Sequence, residues 1–491
     1  MKRVYQIILL LLLITPLWTH AQTDSTSSFS LDDCIKYALE NSVDVKNAKI
    51  EEQISQAKVR ETTGMGLPQI DGTVNVTHNP KLPRMFMEYP GFFAQQPTPE
   101  NPNPPPATPG IEDGEVFAMP NLFQLKSSGD AGINATQLLF SSTYLVGLRA
   151  AKTYKELSYK TTEQTKIQTV ENVTKAYYGV LINNERVALF DNNIGRVDSL
   201  LKTTKALNQN GFAEEIDVDR IQVTLNNLKI EKLKFQNLQN LSLALLKFQM
   251  NYPMDQQLAI DGDLTAIEVN EETLNQYVSG WDFKNRIEYR LLETQRDLQK
   301  LNIKRMYSNG LPTLSAFVGA GYQTGSKNIA GLFKTESSFT ETPDMGVDKW
   351  YPYTRFGLNL SIPIFSGMQR TYKIQQEKLA LKKIENNFQS LQRSFDLNIQ
   401  QNSITFENAL ESLKSQKENL TLADKVARVT KIKYEQGVGS NIEVIDAESS
   451  LRESQVNYYN ALYDAIIAKV DLDKAFAKIN PANYSTTDTQ K

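Results

Sequence analysis

Two long stretches of the chain repeat their apolar residues at steps of three and four. Four short stretches alternate them at a step of two. In the long stretches, Leu381, Ile384, Phe388, Leu391 and Phe395 form a heptad seam, and Leu238, Leu241, Leu245 and Phe248 form a second. None of the 19 prolines lies between Pro120 and Pro253 or between Pro363 and Pro481. Proline breaks helix interiors, so both stretches are free to be long helices. Glycine then sets the turns. After Gly367 the only glycines before Pro481 are Gly437 and Gly439. This predicts a helix from Met368 to Glu435, a turn, and a helix from Asn441 to Phe476. At about 1.5 Å per residue the first would be roughly 100 Å long. The earlier stretch predicts the same plan: a helix from Ser142 to Leu207, a turn at Asn210-Gly211, and a helix from Glu214 to Met250. Helices of this length belong to coiled coils or helical barrels.

The alternating stretches interrupt these helices in pairs. Ile70, Gly72, Val74 and Val76 alternate with Asp71, Thr73, Asn75 and Thr77; Phe356, Leu358, Leu360, Ile362 and Ile364 alternate with Arg355, Gly357, Asn359 and Ser361. Weaker alternation covers Thr313 to Gln323 and Ala131 to Leu139. About 9–11 tilted residues cross a bilayer as a strand, with apolar side chains toward lipid. Trp350, Tyr351, Tyr353 and Tyr322 lie near strand ends, where an aromatic girdle belongs. A half-buried soluble hairpin would show the same alternation, but the chain offers these strands no other core. Four strands cannot close a barrel, and an open edge in lipid is intolerable. Copies of the chain must therefore share one; two copies would give 8 strands and three would give 12. Between the first two strands, 11 of the 41 residues from Pro80 to Pro120 are proline. This segment is expected to lack regular structure and to form an exposed outer loop.

The pattern occurs twice. Gly66-Leu67-Pro68 matches Gly310-Leu311-Pro312, Gly132-Ile133-Asn134 matches Gly357-Leu358-Asn359, and Gly211, Ile216 and Val218 match Gly437, Ile442 and Val444. The expected organisation is a signal peptide over 1–21, a first repeat over 22–253, a linker over 254–284, a second repeat over 285–477 and a C-terminal tail over 478–491.

Lys2 and Arg3 precede an apolar run, Ile7 to Ile14, with a small-residue cleavage site after Ala21. The run is too short to span a bilayer as a helix and reads as a secretory signal. Its removal would change the formal charge from −3 to −5. No basic excess points to nucleic acid. The single Cys34 allows no internal disulfide and reads as a small buried residue of the first helix. There are two histidines, one of them His20 in the signal. Histidine-based metal sites and Ser-His or Cys-His catalysis are therefore not expected. No phosphate-binding glycine loop or Cys-x-x-Cys appears either, so we expect a protein that is not an enzyme and takes no cofactor or metal.

These features resemble the TolC family of outer-membrane efflux proteins, over about Ser30 to Phe476. The opening Ser30-Leu31-Asp32-Asp33-Cys34-Ile35-Lys36-Tyr37-Ala38-Leu39-Glu40-Asn41 is similar to the family's first helix. Tyr434-Glu435-Gln436-Gly437-Val438-Gly439-Ser440-Asn441-Ile442-Glu443-Val444-Ile445-Asp446-Ala447 resembles its periplasmic helix turn, and Asn210-Gly211-Phe212 with Asp217-Val218 is a weaker copy. The resemblance implies a mainly α fold with a transmembrane β-barrel portion. Long antiparallel helices would form a trimeric α-helical barrel, and four strands per chain would join a shared 12-stranded barrel in the outer membrane of a Gram-negative bacterium. It implies as partners a periplasmic adaptor (membrane fusion protein), an inner-membrane transporter and outer-membrane lipid. It places Asp217, Glu443 and Asp446 at an acidic constriction of the periplasmic entrance, with Arg220 as a candidate salt-bridge partner. It places Gly211, Phe212, Gly437 and Val438 where adaptor hairpins dock. The plainer reading is that Asp217 and Glu443 sit in the first turn of a helix, where negative charge is favoured. A structural coiled-coil or adaptor protein of the envelope is the rival expectation.

Overall fold

The computed structural model describes residues 28–88, 100, 112, 114–121, 123–264, 272–278, 281–333 and 350–484. The signal peptide, most of the Pro-rich segment, residues 334–349 of its shorter counterpart, and 485–491 lie outside these. The chain forms two compact units. One draws on the described residues up to 53, on 156–295 and on residues from 384 onward; the other on 54–155 and 296–383. Each unit thus takes pieces from both halves of the sequence.

The second unit holds a four-stranded antiparallel sheet of β2 (Gln69–His78), β5 (Ser127–Ser141), β7 (Thr313–Ser326) and β8 (Tyr351–Ser361), in that spatial order. Side-chain parity follows the expected alternation. Ile70, Val74, Ile133, Val318, Phe356, Leu358 and Leu360 share one face and stand 49–84% exposed. Asp71, Asn134, Gly319 and Arg355 share the other. β8 ends at Ser361, short of the predicted Ile364. Ile362 and Ile364 flank Pro363, which has no N–H for a ladder. A bulge between Leu138 and Phe140 shifts the register of β5. The same parity revises the aromatic girdle: Tyr322 lies on the apolar face, but Tyr351 and Tyr353 lie on the polar one. Trp350 donates from Nε1 to the Leu332 carbonyl at 3.0 Å.

The Pro-rich segment is not wholly irregular. Met85–Glu88 (β3) and Val116–Met119 (β4) pair antiparallel, with Met85 opposite Met119 and Met87 opposite Phe117. Strand residues at each end of the segment escape the prolines, which concentrate between them.

The first unit is helical. Its opening helix α1 (Leu31–Asn41) starts at a capping box, in which the Ser30 hydroxyl accepts from the Asp33 N–H and the Asp33 carboxylate accepts from Ser30. Its step of three and four buries Cys34, Ile35, Ala38 and Leu39 against Val173, Tyr177 and Val180 of α3 (Ser142–Gln209) and Leu246 and Met250 of α4 (Glu215–Met250). Burial pushes the Cys34 thiol up to about 12. A short parallel pair, β1 (Ser28–Phe29) with β6 (Ala259–Ile260), ties the segment after α4 to the start of α1. The other long pair is α7 (Gln369–Glu435) and α8 (Asn441–Ala475). Helix α2 (Val43–Gly64) precedes the sheet; α5 (Glu272–Val278) and α6 (Ile287–Ser308) lead into β7. The long helices start and stop within two residues of the positions set by proline and glycine. None of the described helices is long and apolar enough to cross a membrane.

The two seams differ. Phe395 is buried and Leu381, Ile384, Phe388 and Leu391 are half-buried. Leu238, Leu241, Leu245 and Phe248 stand 45–68% exposed, so the described residues leave much of that seam open.

Candidate functional site

Both long pairs turn on the same backbone device. α3 runs out at Gln209, and Gly211 follows in the left-handed region at φ 81°. The Phe212 N–H reaches back to the Leu207 carbonyl at 2.9 Å and the Gly211 N–H to the Asn208 carbonyl at 2.9 Å. At the end of α7, Gly437 has φ 74°; Val438 bonds Lys433 and Gly437 bonds Tyr434, each at 3.0 Å. This is a Schellman ending, whose C′ residue must be left-handed; glycine meets that without a steric penalty. The motif usually seats its next residue against the last helical turn. Here Phe212 and Val438 are 81% and 80% exposed, so both turns present an apolar tip to solvent.

Beyond the tips the acidic residues enter the helices. Ser440 caps α8, its hydroxyl accepting from the Glu443 N–H at 3.3 Å. Glu443 is exposed in that first turn, and Asp446 is exposed one turn on. Asp217 lies in the first turn of α4, a quarter exposed, with its carboxylate 3.9 Å from the Arg220 guanidinium. The salt-bridge partner is thus matched to Asp217 on its own helix. First-turn carboxylates are favoured by the helix dipole, so the places of Asp217 and Glu443 agree with the capping reading.

The structure brings the two turns together. Asn441 Nδ2 donates to the Asp217 carbonyl at 3.3 Å. Val444 of α8 packs into one core with Ile221 and Leu225 of α4 and Leu200 and Leu201 of α3. Polar ties line the same end: Thr204 with the Tyr434 hydroxyl at 3.0 Å, Arg196 with Glu448 at 3.1 Å, and Arg452 with Glu231 at 3.8 Å. The sequence reading missed these pairs, because each joins residues far apart in the chain and no local spacing marks them. Only Asp217, Tyr434, Asn441 and Val444 carried a signal, as members of the turn motifs. Asn441 is 5% exposed, and its Oδ1 lacks a hydrogen-bond partner.

A third feature ties α3 to α8 farther along. Glu171 is 6% exposed and accepts from Lys474 at 2.6 Å, Lys175 at 2.9 Å and Gln168 at 2.8 Å. Lys175 also pairs with Asp471. Beside it Arg286 grips Glu288 through two bonds of 3.0 Å, donates to the Ala475 carbonyl at 2.9 Å and lies over the Phe395 ring at 4.7 Å.

The profile of the outer membrane efflux protein family matches residues 34–251 and 292–478. The chain belongs to that family. Among curated relatives, the outer membrane protein TolC of Vibrio cholerae serotype O1 is 20% identical over 350 residues, covering 71% of this chain and 77% of the relative. Among solved structures, CusC, described for the changes accompanying folding and transmembrane channel formation, superposes with a TM-score of 0.66 at 14% identity, covering 91% of both chains. The outer membrane protein VceC of Vibrio cholerae superposes at 0.64 and 12% identity, covering 91% of this chain and 96% of VceC. As a member of this family the protein is an outer membrane efflux channel, and its mainly helical fold with a β portion is that of the solved channels.

Proposed function

We propose that the chain is the passive exit duct of a tripartite efflux or type I secretion system, assembled as a homotrimer. The observation that carries this is the four-stranded sheet: it exposes one apolar face and leaves β2 and β8 with open edges. Open edges cannot stand in lipid, so neighbouring copies close the barrel. Three copies give the 12 strands and the ring of long helices implied by the resemblance. On this reading residues 22–253 and 285–477 are quasi-equivalent repeats, and the described residues of 254–284 and 478–491 pack around the helical ring. The exposed Phe212 and Val438 tips, set by Gly211 and Gly437, meet a periplasmic adaptor. Asp217, Glu443 and Asp446 form the acidic constriction, with Arg220 pairing at Asp217. An inner-membrane transporter supplies the energy. The alternative is a structural envelope protein with no channel.

Single-channel conductance in a planar bilayer tests this, comparing the wild type with Glu443→Ala/Asp446→Ala. Discrete cation-selective openings that widen or lose selectivity in the double variant support duct and gate together. Unchanged openings retain the duct and remove these residues from the gate. A protein that never inserts refutes the duct.

A further inference from the structure

The polar face of the sheet carries a transverse belt of side chains laid flat across glycines. Arg355 on β8 stands directly beside Gly319 on β7, which stands beside Asn134 on β5. The Arg355 Nη2 crosses above Gly319 and donates to Asn134 Oδ1 at 3.0 Å. Asn134 Nδ2 continues to Thr73 Oγ1 on β2 at 3.5 Å. A Cβ on Gly319 would fall 2.6 Å from Asn134 Oδ1 and 3.1 Å from Arg355 Nε, so no larger residue leaves this path open. One step along the strands, Tyr353 lies over Gly321 and Gly132 and its hydroxyl bonds the Asp130 carboxylate. The four strands place three charged side chains on this face: Asp71, Asp130 and Arg355. Two carboxylates against one guanidinium leave one net negative charge per chain.

We propose that Arg355, held flat against the wall by Gly319 and Asn134, sets the charge of the β-lined passage, offsetting Asp71 and Asp130 so that polyvalent cations pass without being trapped. The proposal rests on the duct reading, because only in a closed barrel does this face line a lumen. The apolar side chains of the opposite face leave no other role for it in lipid. A flat guanidinium adds charge without narrowing the passage.

The test is side-specific block. Protein added to one chamber of a planar bilayer inserts sheet first, so the outer loops face the far chamber. Hexaamminecobalt(III) is then titrated from either side. For Arg355→Gln, block from the far chamber is expected at roughly tenfold lower concentration, the size set by one unit charge per chain facing a trivalent ion across about 10 Å of water. Block from the near chamber should stay as in the wild type. Arg355→Lys should match the wild type, and Asp130→Asn should require more cobalt. Asp130→Asn carries the test alone if Arg355→Gln does not insert. Far-side block unmoved by either variant, or moved equally from both sides, overturns the proposal. A wild type that inserts no channel overturns the duct reading instead.

Discussion

Replacing Glu171 by Gln isolates the tie between α3 and α8. The carboxylate is 6% exposed and takes charge-assisted bonds from Lys474 at 2.6 Å and Lys175 at 2.9 Å. Breaking a buried ion pair from one side costs about 3–5 kcal/mol when the remaining charge is stranded. Here neither lysine is stranded: Lys175 keeps Asp471, and Lys474 keeps the Gln168 Oε1 at 2.8 Å. Both lysine side chains are also about 30% exposed. The cost therefore falls below that range, to about 2 kcal/mol, or a melting point lower by roughly 2–3 °C for a chain of this size. The measurement is thermal unfolding in detergent followed by helical circular dichroism at pH 7. Acid supplies a second check. Burial raises the Glu171 carboxyl, but the bonds from Lys474 and Lys175 outweigh it and hold it below the ordinary 4.5. A depressed carboxyl stabilises the fold above its unfolded value, and that stability is lost as pH falls through the folded value. The gap between wild type and Glu171→Gln should therefore close below pH 4.5 and stay full at neutral pH. A gap under about 1 °C at pH 7, or one that persists unchanged in acid, would refute the reasoning.

Gly437→Ala should cost about 1–2 kcal/mol, purely through backbone strain, because an added Cβ there meets nothing within 4 Å. Gly437→Asn should recover most of that loss, and hydrogen exchange at Val438 and Gly437 would read it. Arg286→Leu should loosen the C-terminal end of α8, where the guanidinium holds the Ala475 carbonyl; limited proteolysis after residue 475 should speed up, and an unchanged cleavage rate would contradict the assignment.

Much of this architecture was legible because its punctuation is chemical. Pro363 and Pro481, with Gly211 and Gly437, mark ends that helix geometry cannot ignore, so the long helices fall close to their expected bounds. The strands were legible because Ile70 through Val76 alternate with polar residues on a two-residue period. β3 and β4 escaped because proline density stood for the whole segment, although Met85 and Met87 alternate with Phe86 and Glu88. The ion pairs Arg196–Glu448 and Lys175–Asp471 were illegible for another reason: each joins partners more than 250 residues apart, and position along a helix does not say which neighbour it will meet. Arg220 was legible as a salt-bridge partner and lies 3.9 Å from Asp217 on the same helix, whereas the burial of Asn441 against the Asp217 carbonyl was not legible.

The pairing of β5 with β7 bears on how the chain comes into being. Ser127 meets Ser326 across that ladder, so the inner seam of the sheet joins segments made far apart in time. Until β7 emerges, β5 carries an unpaired edge beside exposed Ile133. The helical unit waits as well, since Val173 and Leu246 pack with Ile466. Neither unit completes before the last third of synthesis. An incomplete chain therefore carries unmatched apolar surface, and it depends on being held apart from its fellows until the C-terminal helices arrive.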